Sequence, residues 1–324
     1  MLLRKPRRTP ADPVPPLSWS ALIAPENLLH AWHKVRANGG GAGVDGQSLL
    51  DFEANALDNL RRLHQELADG SYRPQQVLRV YVPKASGGRR PLGIFTIRDR
   101  IVQRALHDAI APIFERRFLD CSFAFRAGRS LHDAIEVILR HRDAGRRWVV
   151  DGDIEDCFER IDHELLMEKL ARDVPEPRIL ALIRQFLQAR VFNDPEGRQP
   201  GFGATQGGVI SPLLCNVYLH AFDERMTNTA LVRYADDWIV QCVNESDAHL
   251  ALNQAMDALA KLKLAINPYR TRITHFDRGF SFLGVFFLRD EYFFISPGTT
   301  SPDSPLAARS QAAAATQPPD SSRR

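Results

Sequence analysis

The chain has little of what would mark several other kinds of protein. Its 324 residues include four cysteines, Cys121, Cys157, Cys215 and Cys242, and none stands in a CxxC pair. That spacing argues against a zinc site and a disulfide framework, and it fits a reducing compartment such as the cytoplasm. No apolar run reaches the roughly eighteen residues that a membrane span needs. MLLRKPRRTP is not followed by an apolar segment, so no signal peptide is read there. His107, His132, His163 and His275 show no HExxH or other ligand spacing. No repeat of about 20–50 residues is evident. Net charge is also small, at +3.

What is present is enough apolar residue, 44%, for one large or two modest domains. The small net charge hides an asymmetry: residues 84–147 hold 14 Lys/Arg against 7 Asp/Glu. A stretch this rich in arginine suits a polyanionic backbone. It also suits a solvated helix face laced with ion pairs, and charge alone leaves both readings open.

Residues 1–18 are basic and proline-rich, a flexible lead-in. Helical apolar spacing marks 26–35 and 49–67, the first ending at an NGGGAG loop (38–43). VLRVYVPK (77–84), the SGG turn (86–88) and RRPLGIF predict a β-hairpin. Ile101, Val102, Ala105, Leu106, Ala109, Ile110, Ile113 and Phe114 stripe one long helix. Helices follow at 130–143, from His163 with Asp162 as N-cap, at 177–191, at 210–226 with Ser211 as N-cap and Pro212 at N1, and from Asp247 to Leu264. RRWVVDGDI (146–154) reads as a strand, LVRYADDWIVQC (231–242) as strand, turn, strand, and 280–295 as β-rich with RDE as its turn. Residues 296–324 are low in complexity and lack a large apolar anchor, the composition of a disordered tail. Helices interspersed with antiparallel strands predict an α+β fold.

Within RYADDWIV (233–240), Asp236 and Asp237 sit side by side between apolar runs, and Asp153 ends an apolar strand. If the two elements neighbour each other in one sheet, three carboxylates converge at one lip. That cluster is stable near neutral pH only with divalent cations or a large pKa shift. Two Mg²⁺ ions about 3.5–4 Å apart could activate a 3′-hydroxyl and steady a departing pyrophosphate. Read without neighbours, the same pair is an exposed turn. Asp151, two residues earlier on the same side of the strand, is the rival of Asp153.

The order of eight stretches carries a family resemblance. They are NGGGAGVDG (38–46), RVYVPKASGGRRPLGIFTIRDRIVQRAL (79–106), SFAFRAGRSLHDAI (122–135), DGDIEDCFERIDHELL (151–166), ATQGGVISPLLCNVYLHAFD (204–223), RYADDWIV (233–240), LAINPYRTRIT (264–274) and GFSFLGVFF (279–287). In this order the chain resembles a reverse transcriptase of the group II intron type over residues 26–290. The resemblance implies a right-hand polymerase: an N-terminal extension and fingers with part of the palm over 19–145, and a palm with primer-grip hairpin over 146–295. A complete thumb is not expected. The implied reaction is templated addition of deoxynucleotides to a primer 3′ end, copying RNA into DNA.

Carried onto this sequence, the resemblance makes Asp153, Asp236 and Asp237 the catalytic aspartates and Asp153, Ile154, Asp236 and Asp237 the site of two Mg²⁺. Lys84, Arg90, Phe158, Gln206 and Arg270 would meet the nucleotide, with Phe158 excluding a 2′-hydroxyl. Arg126, Arg129, Gly207, Gly208, Phe282, Leu283 and Gly284 would follow template or primer. The pattern is departed from at Cys157, where relatives often have an aromatic, at Thr205 for proline, at Tyr269 for an acid and at Arg270 for lysine. The implied partners are an RNA template, a DNA or RNA primer and dNTPs; a protein partner supplying thumb or integrase function is one option, beside a chain that works non-processively and a truncated relic. Relatives also occur beside CRISPR integrases that acquire spacers. The alternatives are a catalytically weak nucleic-acid-binding or assembly component that keeps the palm, and a nuclease using the same carboxylates.

Overall fold

The computed structural model describes residues 17–83, 88–192 and 201–295. Almost all of the expected lead-in, the expected tail, and Lys84 with most of the SGG turn lie outside the described residues. The chain opens with four helices, α1 (Trp19–Ile23), α2 (Pro25–Asn38), α3 (Leu49–Ala54) and α4 (Ala56–Asp69). Residues 49–67, expected as one helix, are therefore two. Asn55 leaves helical geometry at φ −130°, the kind of break that a short polar side chain favours. Asn59 then donates to the Phe52 carbonyl at 3.1 Å across the break.

Next come β1 (Val77–Pro83) and β2 (Arg89–Ile94), an antiparallel hairpin with Val80 opposite Leu92. The long helix α5 (Ile97–Glu115) starts at Thr96, whose side chain accepts from the Asp99 amide. Its buried stripe of Ile97, Ile101, Val102, Ala105, Leu106, Ile110 and Phe114 matches the apolar periodicity. After α6 (Leu131–Asp143) follow β3 (Trp148–Asp153), the short α7 (Cys157–Arg160), α8 (His163–Ala171, capped by Asp162) and α9 (Pro177–Leu187). The last is shorter than expected, because residues 191 and 192 form β4 (Val191–Phe192), parallel to the start of β1.

Helix α10 (Ser211–Arg225) is capped by Ile210, not Ser211; the Ile210 side chain makes no capping bond, and the Ile210 amide donates to Gln103 Oε1 at 3.3 Å. Ser211 is the first helical residue and is buried. Then come β5 (Ala230–Tyr234), β6 (Asp237–Cys242) and α11 (Glu245–Ala260), which begins two residues before the expected Asp247 because Asn244 accepts from the Asp247 amide. A short strand that periodicity did not reveal, β7 (Arg272–His275), precedes the meander of β8 (Phe280–Phe282), β9 (Val285–Leu288) and β10 (Glu291–Phe294).

The fold is mixed α+β, with antiparallel and mixed sheets packed against helices, consistent with fingers and palm. Its central sheet runs β5-β6-β3-β7, all neighbours antiparallel. Alternation along these strands separates two cores. Val150, Leu231, Trp238 and Val240 join the main core with α10 and α11. Val149, Val232 and Ile239 face α6 and the phenylalanines of the meander. Gly152 lies opposite Trp238, and a Cβ there would sit 2.2 Å from the indole. Glycine at 152 is what lets the tryptophan cross the sheet just below the strand ends.

Candidate active site

Strand β3 ends where β6 begins. Asp153 is the direct partner of Asp237 in the ladder, and the Ile154 amide donates to the Asp236 carbonyl at 3.3 Å. The β5–β6 turn therefore delivers both of its aspartates to the end of the Asp153 strand. Ala235 holds the turn with φ +60°, a left-handed conformation uncommon for a residue with a side chain. Its carbonyl accepts from Arg233 Nη1 at 3.0 Å. Arg233 is fully buried and also forks onto Asp223 of α10, with both bonds at 2.6 Å, and reaches Asn216 and Ser122. Asn216 in turn holds the Ala124 carbonyl at 2.8 Å. A single buried network thus anchors the turn to α10 and to the 121–129 loop.

On the opposite face the charges are not balanced. Burial pushes the Asp237 carboxyl up to about 7, reinforced by the charges of Asp236 and Asp153 and opposed by Arg270. Burial also raises Asp153, against the pull of Arg270, and Asp236 adds to the rise. Asp153 is 5% exposed, and its Oδ1 has no aligned hydrogen bond among the described residues. Arg270 Nη1 lies 2.8 Å from that oxygen as an ion pair, and Nη2 lies 3.7 Å from Asp237 Oδ1. Asp151 is paired instead with Arg272 at 3.2 Å, one ladder step inside the sheet. Among the described residues no group of three or more His, Cys, Asp or Glu is arranged to hold a metal ion, this trio included. Magnesium keeps waters and takes substrate phosphates as ligands, so it does not require a complete protein cage.

Of the other expected nucleotide-site residues, Phe158 is half-buried in α7, and its carbonyl accepts from the Ala204 amide at 2.8 Å. Gln206 donates to Glu159 at 2.7 Å, and its own carbonyl takes the Gly93 amide at 2.7 Å. The TQGG loop is thereby laid along β2. Gly207 (φ +97°) could not bear a Cβ, which would meet the Gly93 carbonyl at 2.5 Å, and Gly208 is crowded by Ser211. Arg90 is exposed on β2 opposite Val82. Ile154 is buried at the base of the cluster.

The residues expected to follow template or primer have partners of their own in the fold. Arg126 is buried, forks onto Glu115 at 3.0–3.1 Å, and donates to the Leu119 and Ser122 carbonyls. Its guanidinium is committed within the protein and shapes the loop. Arg129 pairs with Asp120 and lies over the Phe123 ring. Phe282 is buried in the second core, while Leu283 and Gly284 make the β8–β9 turn with φ of 53° and 73°. Residues missed by sequence reasoning are Arg233, Asp223, Asn216, Asn267 and Thr271. The signal for the first two was an arginine inside an apolar strand and an aspartate on an apolar helix, each needing a partner.

Comparison with protein families gives a match for residues 82–287, more than half of the chain, to the model described as reverse transcriptase (RNA-dependent DNA polymerase). The chain belongs to that family. Protein YkfC of Escherichia coli K12 is 34% identical over 283 residues, which cover 75% of this chain and 74% of YkfC. Group II intron-encoded protein LtrA of Lactococcus lactis subsp. cremoris is 35% identical over 206 residues, 63% of this chain and 34% of LtrA. This reverse transcriptase-family chain thus spans about three quarters of one relative and a third of the other. Telomerase from Candida albicans, solved with a fragment of telomeric RNA, shares the fold with a TM-score of 0.53 at 14% identity, over 70% of this chain and 46% of that one. Among the described residues no helix is long and apolar enough to cross a membrane.

Proposed function

We propose that this chain is an RNA-directed DNA polymerase of the group II intron type, extending a primer 3′ end with deoxynucleotides along an RNA template. The observation that carries the reading is the ladder pairing of Asp153 with Asp237, with Asp236 in the adjoining turn. It brings carboxylates from two distant stretches to one sheet end inside a chain of this family. On this reading fingers and part of the palm fall within 19–145, and the palm with its primer-grip hairpin within 146–295.

The donor set suits Mg²⁺: hard carboxylate oxygens, an Asp153 oxygen buried without an aligned hydrogen bond among the described residues, and an Asp237 carboxyl raised by burial and by the charges of Asp236 and Asp153. Asp153, Asp236 and Asp237 would hold the ions, with Ile154 supporting them through its bond to the turn. Bound there, divalent ions would supply charge for an attacking hydroxyl and a departing pyrophosphate. The chain's own residues orient the substrate. Phe158 floors the pocket under the sugar. Gln206, held by Glu159 and by the Gly93 amide, lines the nucleotide, while Gly207 and Gly208 let the loop backbone come close to the template–primer. Arg90 and Lys84 are the cations of the fingers hairpin that would meet the triphosphate. Arg129 and the Phe282-Leu283-Gly284 turn would meet the nucleic acid backbone.

Primer extension on an RNA template with dNTPs and Mg²⁺ tests the reading, with Asp236→Ala as the control. Extension by the wild type and none by the variant is expected. RNA–DNA binding without extension across a range of Mg²⁺ would replace the polymerase with a binding module. In the active enzyme Phe158→Ala is expected to raise ribonucleotide incorporation, and unchanged sugar preference would remove that residue from the pocket.

A further inference from the structure

The segment between α11 and β7 approaches the carboxylates with unusual firmness. The Asn267 amide donates to the Asp153 carbonyl at 2.8 Å, and the Asp153 amide donates to Thr271 Oγ1 at 3.4 Å. The loop is thus stitched at both ends to the backbone of one catalytic candidate. Between those stitches it is closed on itself: the Arg270 and Thr271 amides donate to the Asn267 carbonyl at 3.2 and 2.9 Å, and the Tyr269 amide to Asn267 Oδ1 at 3.1 Å. Arg270 stands on this tether with its guanidinium 2.8 Å from Asp153 and 3.7 Å from Asp237. Its neighbour Arg272 is occupied with Asp151.

We propose that Arg270 is a built-in placeholder cation, which offsets part of the charge of Asp153 and Asp237 when no divalent ion is bound and must swing off them when one binds. The inference deepens the polymerase reading and rests on it only for the identity of the ion. Two observations fit together. The tether makes the ion pair a property of the fold, because the loop cannot leave without breaking bonds to Asp153 itself. The Arg270 side chain is 62% exposed, so the pair is screened and weak enough to yield to a dication. A buried pair of the Arg233–Asp223 kind would be too costly to break for such an exchange. Arg270 is therefore a positioning residue whose effect is read in metal affinity before any chemistry occurs.

The test uses the full chain freed of metal with a chelator and titrated with Mn²⁺ by calorimetry or by the spin signal of free Mn²⁺. Arg270→Gln is expected to bind Mn²⁺ about tenfold more tightly than the wild type, the size of one screened charge contact, with Arg270→Lys close to wild type. The metal-free Arg270→Gln protein is expected to melt about 2–5 °C lower and to recover with Mn²⁺. Adding Asp153→Asn to Arg270→Gln should erase the gain in affinity. Equal or weaker Mn²⁺ binding by Arg270→Gln overturns the proposal, as does a gain that survives Asp153→Asn. No Mn²⁺ binding by any variant overturns it too. The expected Mn²⁺ response beside a wild type that cannot extend a primer rejects the polymerase reading and leaves the placeholder role standing.

Discussion

Arg233 and Asp237 belong to the same hairpin, point to opposite faces of the same sheet, and are treated in opposite ways. Arg233 is withdrawn from water with every donor engaged: two bonds to Asp223, and others to Asn216, Ala235 and Ser122. Asp237 is kept at the lip beside two other carboxylates, with one partly exposed arginine to offset them. The first arrangement is held in place because removing any one partner would strand a buried charge, which costs far more than the satisfied network does. The second gains nothing for stability and is sustained by the first. The fully satisfied face holds the turn so that the unsatisfied face can stay frustrated, which is the expected relation between a scaffold and a site.

That asymmetry is open to direct attack. The largest effect is expected at the lip: Asp236→Ala should lower primer extension by about a thousandfold or more, on the scale of lost transition-state charge stabilisation, while its melting temperature stays within a few degrees of wild type. A strongly destabilised Asp236→Ala would mean that the lip is structural after all. On the other face the signs reverse. Arg233→Met should cost about 3–5 kcal/mol in urea unfolding by stranding Asp223, and the double variant Arg233→Met with Asp223→Leu should recover part of it. Full stability in the single variant would dissolve the distinction between the faces.

Much of this arrangement could be read from the residues, and the limits have physical causes. WVVDGD and RYADDWIV carry near-continuous apolar runs because both faces of those strands are buried, so the strand pair and its aspartates stood out. The β7 strand did not, since RITH is too short and polar for a period to register, yet it edges the sheet beside Asp153. Asn55 split a helix that the apolar stripe alone predicts as continuous, because capping chemistry competes with periodicity at single residues. Arg126 read as a backbone-tracking cation from charge and loop context, but its chain neighbours did not disclose Glu115 folding back onto it. Ion-pair partners brought together by tertiary structure leave no local trace in the sequence.

A smaller effect comes from the contact that keeps the two faces in one plane. Gly152→Ala places a methyl group within 2.2 Å of the Trp238 ring, which lies on the stable face directly below the lip. The expected cost is about 1–3 kcal/mol from overpacking. A fall in extension rate larger than this lost stability explains is also expected, because Asp153 is the next residue and must move with the strand. If stability falls while the rate of the folded fraction is unchanged, the lip is less tightly geared to the sheet than the ladder suggests.

The smallest effect belongs to a charge group of intermediate kind, which shows where an ordinary structural carboxylate lies between the two extremes. Asp108 on α5 is half-buried and receives Lys34 of α2 at 2.9 Å and Arg104 at 2.5 Å. Burial alone would raise its pKa, yet hydrogen bonds from His107, Arg104 and Lys34 outweigh that and hold the carboxyl well below its usual range. A carboxyl depressed in the folded state stabilises the fold at any pH above its unfolded value and loses that contribution as pH falls toward the folded one. Asp108→Asn should therefore cost about 1–2 kcal/mol at pH 7. The gap between wild type and variant should hold from neutrality down to about pH 4, then narrow as the unfolded carboxyl, near its ordinary pKa, takes up protons. Urea unfolding of both proteins from pH 7 to pH 3 measures it. A gap that widened with acid would mean that Asp108, like Asp237, is held above its usual range, and the helical layer would then share the frustration assigned here to the lip alone.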